Sequence, residues 1–297
     1  MTADPNEIAR RIRIGSAGWS YPDWKGVVYP KRAPDGFDAL RYLAAYLDVI
    51  EINNTFYRPL DPEIAKRWVE SVRDLPEFRF TAKLYQGLTH HAPREWEAGA
   101  VDAARAGFRA LADANLLDAV LLQFPFWFEA SRESLDHVKA IAAAFGDHRL
   151  VLEVRHRSFL RREVLDEIRS HGISFCGADQ PQAKTSIPPT STVTGPLGYF
   201  RLHGRNADKW FARGASVAEK YDYLYSPEEL AQLQGVVREI AARTERTHLI
   251  ANNHFLGKGL VNALELKASI TGARVDVPTP LVIAYPRLER ISIEHEA

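Results

Sequence analysis

The sequence is poor in cysteine and has no long apolar run. Its single cysteine, Cys176, excludes a disulfide within the chain and is typical of a reducing compartment. Cys176 lies in the apolar segment 173–177, so we interpret it as a core thiol rather than a nucleophile. No apolar stretch approaches the roughly 20 residues that a membrane-spanning helix needs, and residues 1–11 lack the apolar segment of a signal peptide. These absences predict a cytoplasmic protein.

Neither sign of charge is in excess. The chain of 297 residues has 38 Lys and Arg against 38 Asp and Glu, so no overall field attracts nucleic acid or a membrane surface. We therefore expect a small-molecule ligand as partner, and expect neither a membrane nor nucleic acid. Nothing in the sequence indicates an oligomeric state.

Motifs for common cofactors and metals are also missing. No Gly-x-Gly-x-x-Gly turn follows the first predicted strand, and the predicted strand ends carry no His-x-His, His-Glu-x-x-His or Asp-x-Asp pattern. We predict no cofactor and no metal. One alternative stays open, because four residues on separate strands could still converge as metal ligands: Glu51, Glu153, Asp179 and His203.

Strand-like and helix-like segments alternate along the whole chain. Eight apolar, strand-like runs begin near residues 13, 49, 78, 119, 150, 173, 199 and 247, with amphipathic helical patterns between most of them. This alternation predicts a parallel sheet with crossover helices, and eight strands favour a TIM-type (β/α)8 barrel over a doubly wound open sheet. We expect one barrel domain over residues 12–297, preceded by a polar extension over residues 1–11.

The sixth crossover departs from this pattern. Residues 180–195 are rich in proline, serine and threonine and show no apolar period. The composition predicts an extended connection along the surface in place of the sixth helix.

Polar side chains gather where the predicted strands end. Glu51 and Asn53 share one face of their strand, and Glu153 and Arg155 share one face of theirs, because strand side chains alternate. The carboxyl ends of barrel strands carry the active site, so we predict a single site there. The catalytic candidates are Glu51, Lys83, Glu153 and His203. The substrate-binding candidates are Trp19, Asn53, Gln123, Arg155, Asp179, Arg201 and Asn253. A purely structural network of salt bridges is the alternative.

Carboxylates and cations in one pocket suit a ligand with an anionic group and hydroxyls, such as a sugar phosphate. Arg155 and Arg201 are candidates for bidentate anion capture, and His203 is a candidate acid or base with a glutamate partner. For Lys83 we favour a phosphate contact or an ion pair over a Schiff-base role. A glycosidase pair of Glu51 and Glu153 is disfavoured, because strands two and five lie far apart around a barrel.

Aromatic residues crowd the loops on the same side as these strand ends. Trp19, Tyr21, Phe56 and Trp210 are examples from three of the loops. We expect most of the loop aromatics to pack loop against loop, and a few to stack on a sugar or a base.

The motifs together resemble a known family. They include Gly18-Trp19-Ser20-Tyr21, residues 51–57 (EINNTFY), Glu153-x-Arg155-His156, Arg201-Leu202-His203-Gly204 and Asn252-Asn253. In this order they resemble the family called domain of unknown function 72 (YecE-like), from about residue 12 to residue 270. The chain departs from the family pattern at Asn54, where Ser is usual, and at Asn252, where an aromatic residue is common.

The resemblance implies a TIM-type barrel and leaves the activity unassigned. From the residues, we expect an enzyme of isomerase, lyase or hydrolase type that acts on a small phosphorylated or polyhydroxylated compound. A nucleic-acid-processing or nucleotide-binding barrel and a non-catalytic small-molecule sensor remain as alternatives.

Overall fold

The chain folds as one closed barrel of eight parallel strands. The computed structural model describes residues 4–293; residues 1–3 of the expected extension and residues 294–297 of the expected domain lie outside the described part. Each strand pairs with its neighbour in the chain, and β8 returns to β1. The strands are β1 (Ile12–Ala17), β2 (Val49–Ile52), β3 (Arg79–Lys83), β4 (Leu117–Gln123), β5 (Leu150–Glu153), β6 (Ser174–Asp179), β7 (Leu197–Leu202) and β8 (Arg246–Ala251). The predicted TIM-type barrel is confirmed.

Twelve α-helices surround the barrel in the described part of the chain. They are α1 (Pro5–Arg10), α2 (Ala39–Ala44), α3 (Pro62–Val72), α4 (Gln86–Thr89), α5 (Ala100–Asp113), α6 (Arg132–Phe145), α7 (Arg162–Ser170), α8 (Ala207–Trp210), α9 (Val217–Lys220), α10 (Pro227–Ala241), α11 (Lys258–Thr271) and α12 (Thr279–Ala284). Helix α1 falls in the expected N-terminal extension, where Ile8 and Ala9 pack against the core. In the described chain no helix combines the length and the apolar character needed to cross a membrane.

Local caps fix the helices that follow the barrel mouth. In α3 the Asp61 side chain accepts a hydrogen bond from Glu63 N, and Pro62 occupies the first turn. In α10 Ser226 and Glu229 form a reciprocal capping box. These caps satisfy backbone N–H groups in the first turns of α3 and α10. Residues next to each helix start therefore determine where the chain leaves the barrel mouth and enters the helix.

The sixth crossover is irregular, as predicted. Among the described residues no helix lies between β6 and β7. The segment is nevertheless not confined to the surface, because Gln180 and Ile187 are buried and Ile187 N donates to Arg155 O. An isolated bridge between Ser186 and His156 ties it to the chain after β5. The segment therefore forms part of the barrel mouth.

The barrel interior has an apolar lower layer and a polar upper layer. Alternate residues of a strand point inward, and β7 shows the change from one layer to the other: Leu197 and Tyr199 lie below Arg201 and His203. The apolar layer comprises Ala17, Val49, Ala119, Leu121, Val151, Cys176, Leu197, Tyr199 and Ile250. Burial raises the pKa of the Cys176 thiol well above its ordinary value, which confirms Cys176 as a core thiol.

Candidate functional site

A cavity of about 770 Å³ opens at the carboxyl ends of the strands. Strand ends supply its lower wall and the loops supply its upper wall, as in other barrels of this type. Its lining includes Tyr21, Asn53, Phe56, Lys83, Gln123, Arg155, Gln180, Trp210, Tyr221, Asn252 and His254. The cavity is large enough for a small-molecule ligand.

Arg201 organises a buried ionic network beneath this cavity. One terminal nitrogen of Arg201 donates to Glu51 Oε1 at 2.6 Å, and the other donates to Glu153 Oε2 at 2.5 Å. All three side chains are at most 1% exposed. Strands β2, β5 and β7 are not neighbours, but their inward side chains meet near the barrel axis. Both glutamates therefore pair with the same guanidinium.

The second oxygen of Glu51 is also occupied. Tyr199 Oη donates to Glu51 Oε2 at 2.8 Å, and Thr81 Oγ1 lies 2.8 Å from Tyr199 Oη. Tyr199 belongs to the apolar layer, so its hydroxyl joins that layer to the polar one. Glu51 thus has partners on both oxygens and does not line the cavity.

Glu153 connects the buried network to the cavity. Arg155 donates to Glu153 Oε1 at 2.9 Å and also to Gln180 Oε1, and both Arg155 and Gln180 line the cavity. Burial alone would raise the pKa of the Glu153 carboxyl. The charges of Arg201 and Arg155 outweigh burial and hold this pKa well below its ordinary value. Glu153 is therefore ionised, and it orients Arg155.

His203 is fully buried and neutral. Burial lowers its pKa to about 3, although Glu153 opposes the shift. Its Nδ1 lies 3.0 Å from Asn252 Nδ2, and its Nε2 lies 3.3 Å from Glu153 Oε1. With the Asn252 amide donating to Nδ1, the ring proton resides on Nε2, which makes no hydrogen bond with the described residues. Asn252 thus links the buried histidine to the cavity wall.

Lys83 is a basic residue of the cavity that forms no ion pair with the described acidic residues. Its Nζ lies 4.1 Å from the centre of the Phe56 ring, and no described carboxylate lies within 4 Å of it. Burial, assisted by Arg201, lowers the pKa of Lys83 to about 7, against the opposing effect of Glu51 and Glu153. The amino group is therefore present in both protonation states near neutral pH.

Stacked rings form one wall of the cavity. Tyr21 and His254 stack with centroids 4.2 Å apart and planes at 9°, and Tyr221 lies 5.4 Å from the same imidazole. The guanidinium of Arg155 lies 5.4 Å from the centre of the Trp210 ring. Burial lowers the pKa of His254 to about 4, so this ring is neutral. The wall offers flat apolar surface beside a cation.

The predicted site residues fall into three groups. Asn53, Lys83, Gln123 and Arg155 line the cavity. Glu51, Glu153, Arg201 and His203 lie buried directly beneath them. Trp19, Asp179 and Asn253 lie outside the cavity. The structure thus brings eight of the eleven candidates together in two connected layers.

Asp179 and Asn253 lie outside the cavity because they point away from the barrel axis. Asp179 accepts from Arg205 Nε at 2.9 Å and from Tyr225 Oη at 2.6 Å, which anchors the loop after β7. Asn253 donates to Tyr223 O at 2.8 Å. Side chains alternate across a strand, so the residue adjacent to each of them points inward instead.

Trp19 occupies a side pocket of about 380 Å³ beside the cavity. Its ring meets Trp68 edge-on with centroids 4.9 Å apart. Gly18, with φ of +73°, turns the chain at this point. The turn removes Trp19 from the inward row of β1, while Tyr21, two residues later, enters the cavity wall.

Sequence reasoning did not select several lining residues as site candidates. Gln180, Asn252 and His254 continue the inward rows of β6 and β8, so the two-residue period carried a signal for them. Trp210 and Tyr221 come from the loop after β7, and no periodicity marks them.

Among residues 4–293 no group of three or more His, Cys, Asp or Glu side chains is arranged to hold a metal ion.

Comparison with known proteins places the chain in a family. Residues 13–282 match the family described as protein of unknown function DUF72. The UPF0759 protein YunF of Bacillus subtilis is 26% identical over 269 residues, covering 86% of this chain and 93% of that protein. A DUF72 family protein from Thermotoga maritima has a crystal structure with a TM-score of 0.74 and 31% identity, covering 87% of this chain and 98% of that one.

A second crystal structure is similar in fold. The DUF72 family protein of Enterococcus faecalis gives a TM-score of 0.76 at 25% identity and covers 91% of this chain and 98% of its own. Both structural relatives are matched over nearly their whole length. The chain belongs to the DUF72 family.

Proposed function

We propose that this protein is an enzyme of isomerase or lyase type that acts on a small phosphorylated or polyhydroxylated compound. The observation that carries the proposal is that the carboxylates at the barrel mouth are buried, whereas basic side chains line the cavity. The two buried glutamates pair with Arg201, and Glu153 also accepts from Arg155, whereas the Arg155 guanidinium and the Lys83 amino group line the cavity. The cavity is therefore suited to an anionic group of a ligand.

Neutral polar groups beside these cations suit hydroxyls. Asn53, Gln123 and Asn252 line the same cavity, and Asn53 Oδ1 is buried with no hydrogen-bond partner among the described residues. An unpaired buried acceptor is unfavourable, and a ligand hydroxyl would satisfy it. A phosphorylated or carboxylated polyol matches both sets of groups.

The geometry argues against the hydrolytic type. A glycosidase needs two carboxyl groups that face the scissile bond. Here both oxygens of Glu51 and of Glu153 contact Arg201, Arg155, His203 or Tyr199 instead. Lys83, with a pKa of about 7, is the better proton-transfer group, because it can accept or donate a proton at neutral pH.

The aromatic wall favours one further candidate. Tyr57, Phe126, Trp127 and Phe211 are more than half exposed on the loops around the mouth. Exposed rings next to a cationic cavity suit a nucleotide base with its phosphate. Nucleotides therefore belong in the ligand panel, together with sugar phosphates and carboxylates.

We expect anionic ligands to stabilise the wild-type protein through Arg155. A ligand at 100 times its Kd stabilises a protein by about 2.7 kcal/mol, which a thermal-shift assay detects. Arg155→Gln removes the guanidinium and should abolish the ligand-induced shift, and Arg155→Lys should keep part of it. Each shift is measured from the variant's own ligand-free Tm, because Arg155 also contacts Glu153.

Arg162→Gln is the matched control, since the Arg162 side chain is 93% exposed on α7. It should show the wild-type ligand shift. Equal shifts in Arg155→Gln and the wild type, or no shift across phosphate, sugar phosphates, carboxylates and nucleotides, would count against the proposal. Turnover of a stabilising compound would separate an enzyme from a non-catalytic sensor.

A further inference from the structure

We infer that Lys83 forms a covalent imine with its substrate, which is therefore an aldehyde or ketone that also carries an anionic group. The inference rests on the proposed function and names the substrate class of the same cavity. Its basis is the position of Nζ, which lines the cavity 4.1 Å from the centre of the Phe56 ring and forms no ion pair with residues 4–293.

The carboxylates that would hold Lys83 as an ammonium are already engaged. Glu51 and Glu153 accept hydrogen bonds from Arg201 at 2.6 and 2.5 Å. Other lysines of this chain contact acids, including Lys139 with Glu167 at 2.5 Å. Lys83 differs because the two nearby glutamates already pair with Arg201.

Four charged side chains act on Lys83, and together with burial they leave about half of the amino group neutral near pH 7. Arg201 and Arg155 disfavour its charge, while Glu51 and Glu153 favour it, and burial exceeds each of them. His90, whose ring lies 5.2 Å from that of Phe56, is neutral because burial and Lys83 lower its pKa to about 4. A neutral amine at neutral pH is a nucleophile without any further base.

The reaction balances with no added reagent. The Lys83 nitrogen lone pair forms a bond to the carbonyl carbon, and the carbonyl π electrons move to oxygen. The carbinolamine then loses its oxygen as water. Both hydrogens of the departing water come from the amino group, so R–NH₂ and O=C become R–N=C and H₂O. Protonation of the imine nitrogen creates an electron sink, which drives carbon–carbon cleavage or proton abstraction at the neighbouring carbon.

The cavity also specifies what the carbonyl compound carries. Arg155 is held by Glu153 and Gln180 at the cavity edge and suits a carboxylate or a phosphate. Asn53, Gln123 and Asn252 suit hydroxyls or the carbonyl oxygen as it gains charge. Two sources share this chemistry, a 2-oxo acid and a phosphorylated aldose or ketose, and the experiment separates them.

The first test needs no substrate. Trace acetylation with acetic anhydride across pH 5–11, read by peptide mass spectrometry, gives a reactivity profile for each lysine. We expect the Lys83 profile to have its midpoint near pH 7 and its labelling at pH 7 to exceed that of Lys258 by at least about tenfold, since Lys258 pairs with Asp222. A Lys83 midpoint near that of an ordinary lysine would overturn the inference.

The second test traps the imine. The protein is incubated with borohydride and pyruvate, glyceraldehyde 3-phosphate, dihydroxyacetone phosphate or uncharged glyceraldehyde. We expect one reduced adduct on the Lys83 peptide with at least one anionic compound, at a lower concentration than with glyceraldehyde. The adduct should persist in Lys258→Met and disappear in Lys83→Met.

The outcomes distinguish this inference from the proposed function. An anionic compound that raises Tm through Arg155 but leaves no adduct on Lys83 would refute the imine and retain the proposed site. Adducts spread over surface lysines and retained in Lys83→Met would also refute it. Neither adduct nor thermal shift with any compound would count against both proposals.

Discussion

Replacing Arg201 with methionine is expected to lower the free energy of unfolding by about 3–5 kcal/mol, the usual range for a broken buried ion pair. The change leaves Glu51 and Glu153 buried without the cation that both contact. Unfolding in urea at pH 8, followed by circular dichroism, measures the effect. Total stabilities are about 5–15 kcal/mol, so the loss would be a large part of the whole.

The deficit of Arg201→Met should shrink as the pH falls. In the wild type the depressed pKa of Glu153 adds stability that is present above the unfolded pKa and lost as the pH falls through the folded one. In the variant burial raises the same pKa, so the folded state binds the extra proton and becomes relatively more stable toward acid. We expect the difference between the two proteins to be larger at pH 8 than at pH 5.

Two companion variants make this prediction specific. The triple variant Arg201→Met, Glu51→Gln, Glu153→Gln removes both stranded charges and should recover part of the loss. Arg162→Met alters an exposed arginine and should change stability by less than about 0.5 kcal/mol. A single variant as stable as the wild type at pH 8 would mean that the network contributes little to folding.

Lys83→Met is expected to have the opposite effect and to stabilise the protein at pH 7. A pKa lowered from 10.5 to about 7 sets an upper limit of about 5 kcal/mol on the cost of the buried charge, at about 1.4 kcal/mol per pKa unit. The side chain is partly exposed, so we expect a gain of about 2 kcal/mol. Methionine also packs well against the Phe56 ring.

The gain depends on pH in a defined direction. The folded pKa of Lys83 is depressed, so between about pH 7 and 10.5 the unfolded chain binds more protons than the folded one. Wild-type stability from this residue therefore rises with pH across that window, and below it the cost of the charge is fully present. The advantage of Lys83→Met should be largest at pH 6–7 and small near pH 10.

Urea unfolding at pH 6, 7 and 9.5 tests this dependence, with Lys258→Met as control. Lys258 pairs with Asp222, so its replacement should be neutral or destabilising. A destabilised Lys83→Met at pH 7 would show that the wild-type ammonium has a favourable partner in solution. A lysine that is kept at a cost in stability is typical of a functional site.

The sequence by itself determined the barrel. Few folds other than a barrel accommodate eight apolar strand segments that alternate with amphipathic helical segments. The proline-rich composition of residues 180–195 excluded a regular sixth helix. The same rules located the ends of the strands. Polar residues at those ends, such as Lys83 and Arg201, were therefore identifiable as one group before any contact was known.

Which of the polar residues face the axis was decided by closure of the barrel. Strands buried on both faces carry apolar residues on both, so their pattern does not mark the inner face. Along β6 the apolar sequence does not distinguish the row of Cys176 from the row of Phe175. Closure places Cys176 inside, which brings Gln180 to the cavity and turns Asp179 toward Arg205.

The pairing of charges was also a tertiary result. Arg201 lies 150 residues from Glu51 and 48 from Glu153, and neither spacing predicts a contact. Both carboxylates reach it because inward side chains of non-adjacent strands meet near the axis. Because Glu51 and Glu153 pair with Arg201, they are not available as ion-pair partners for Lys83. A lysine at a strand end is visible in the sequence, but its unpaired state depends on distances across the barrel.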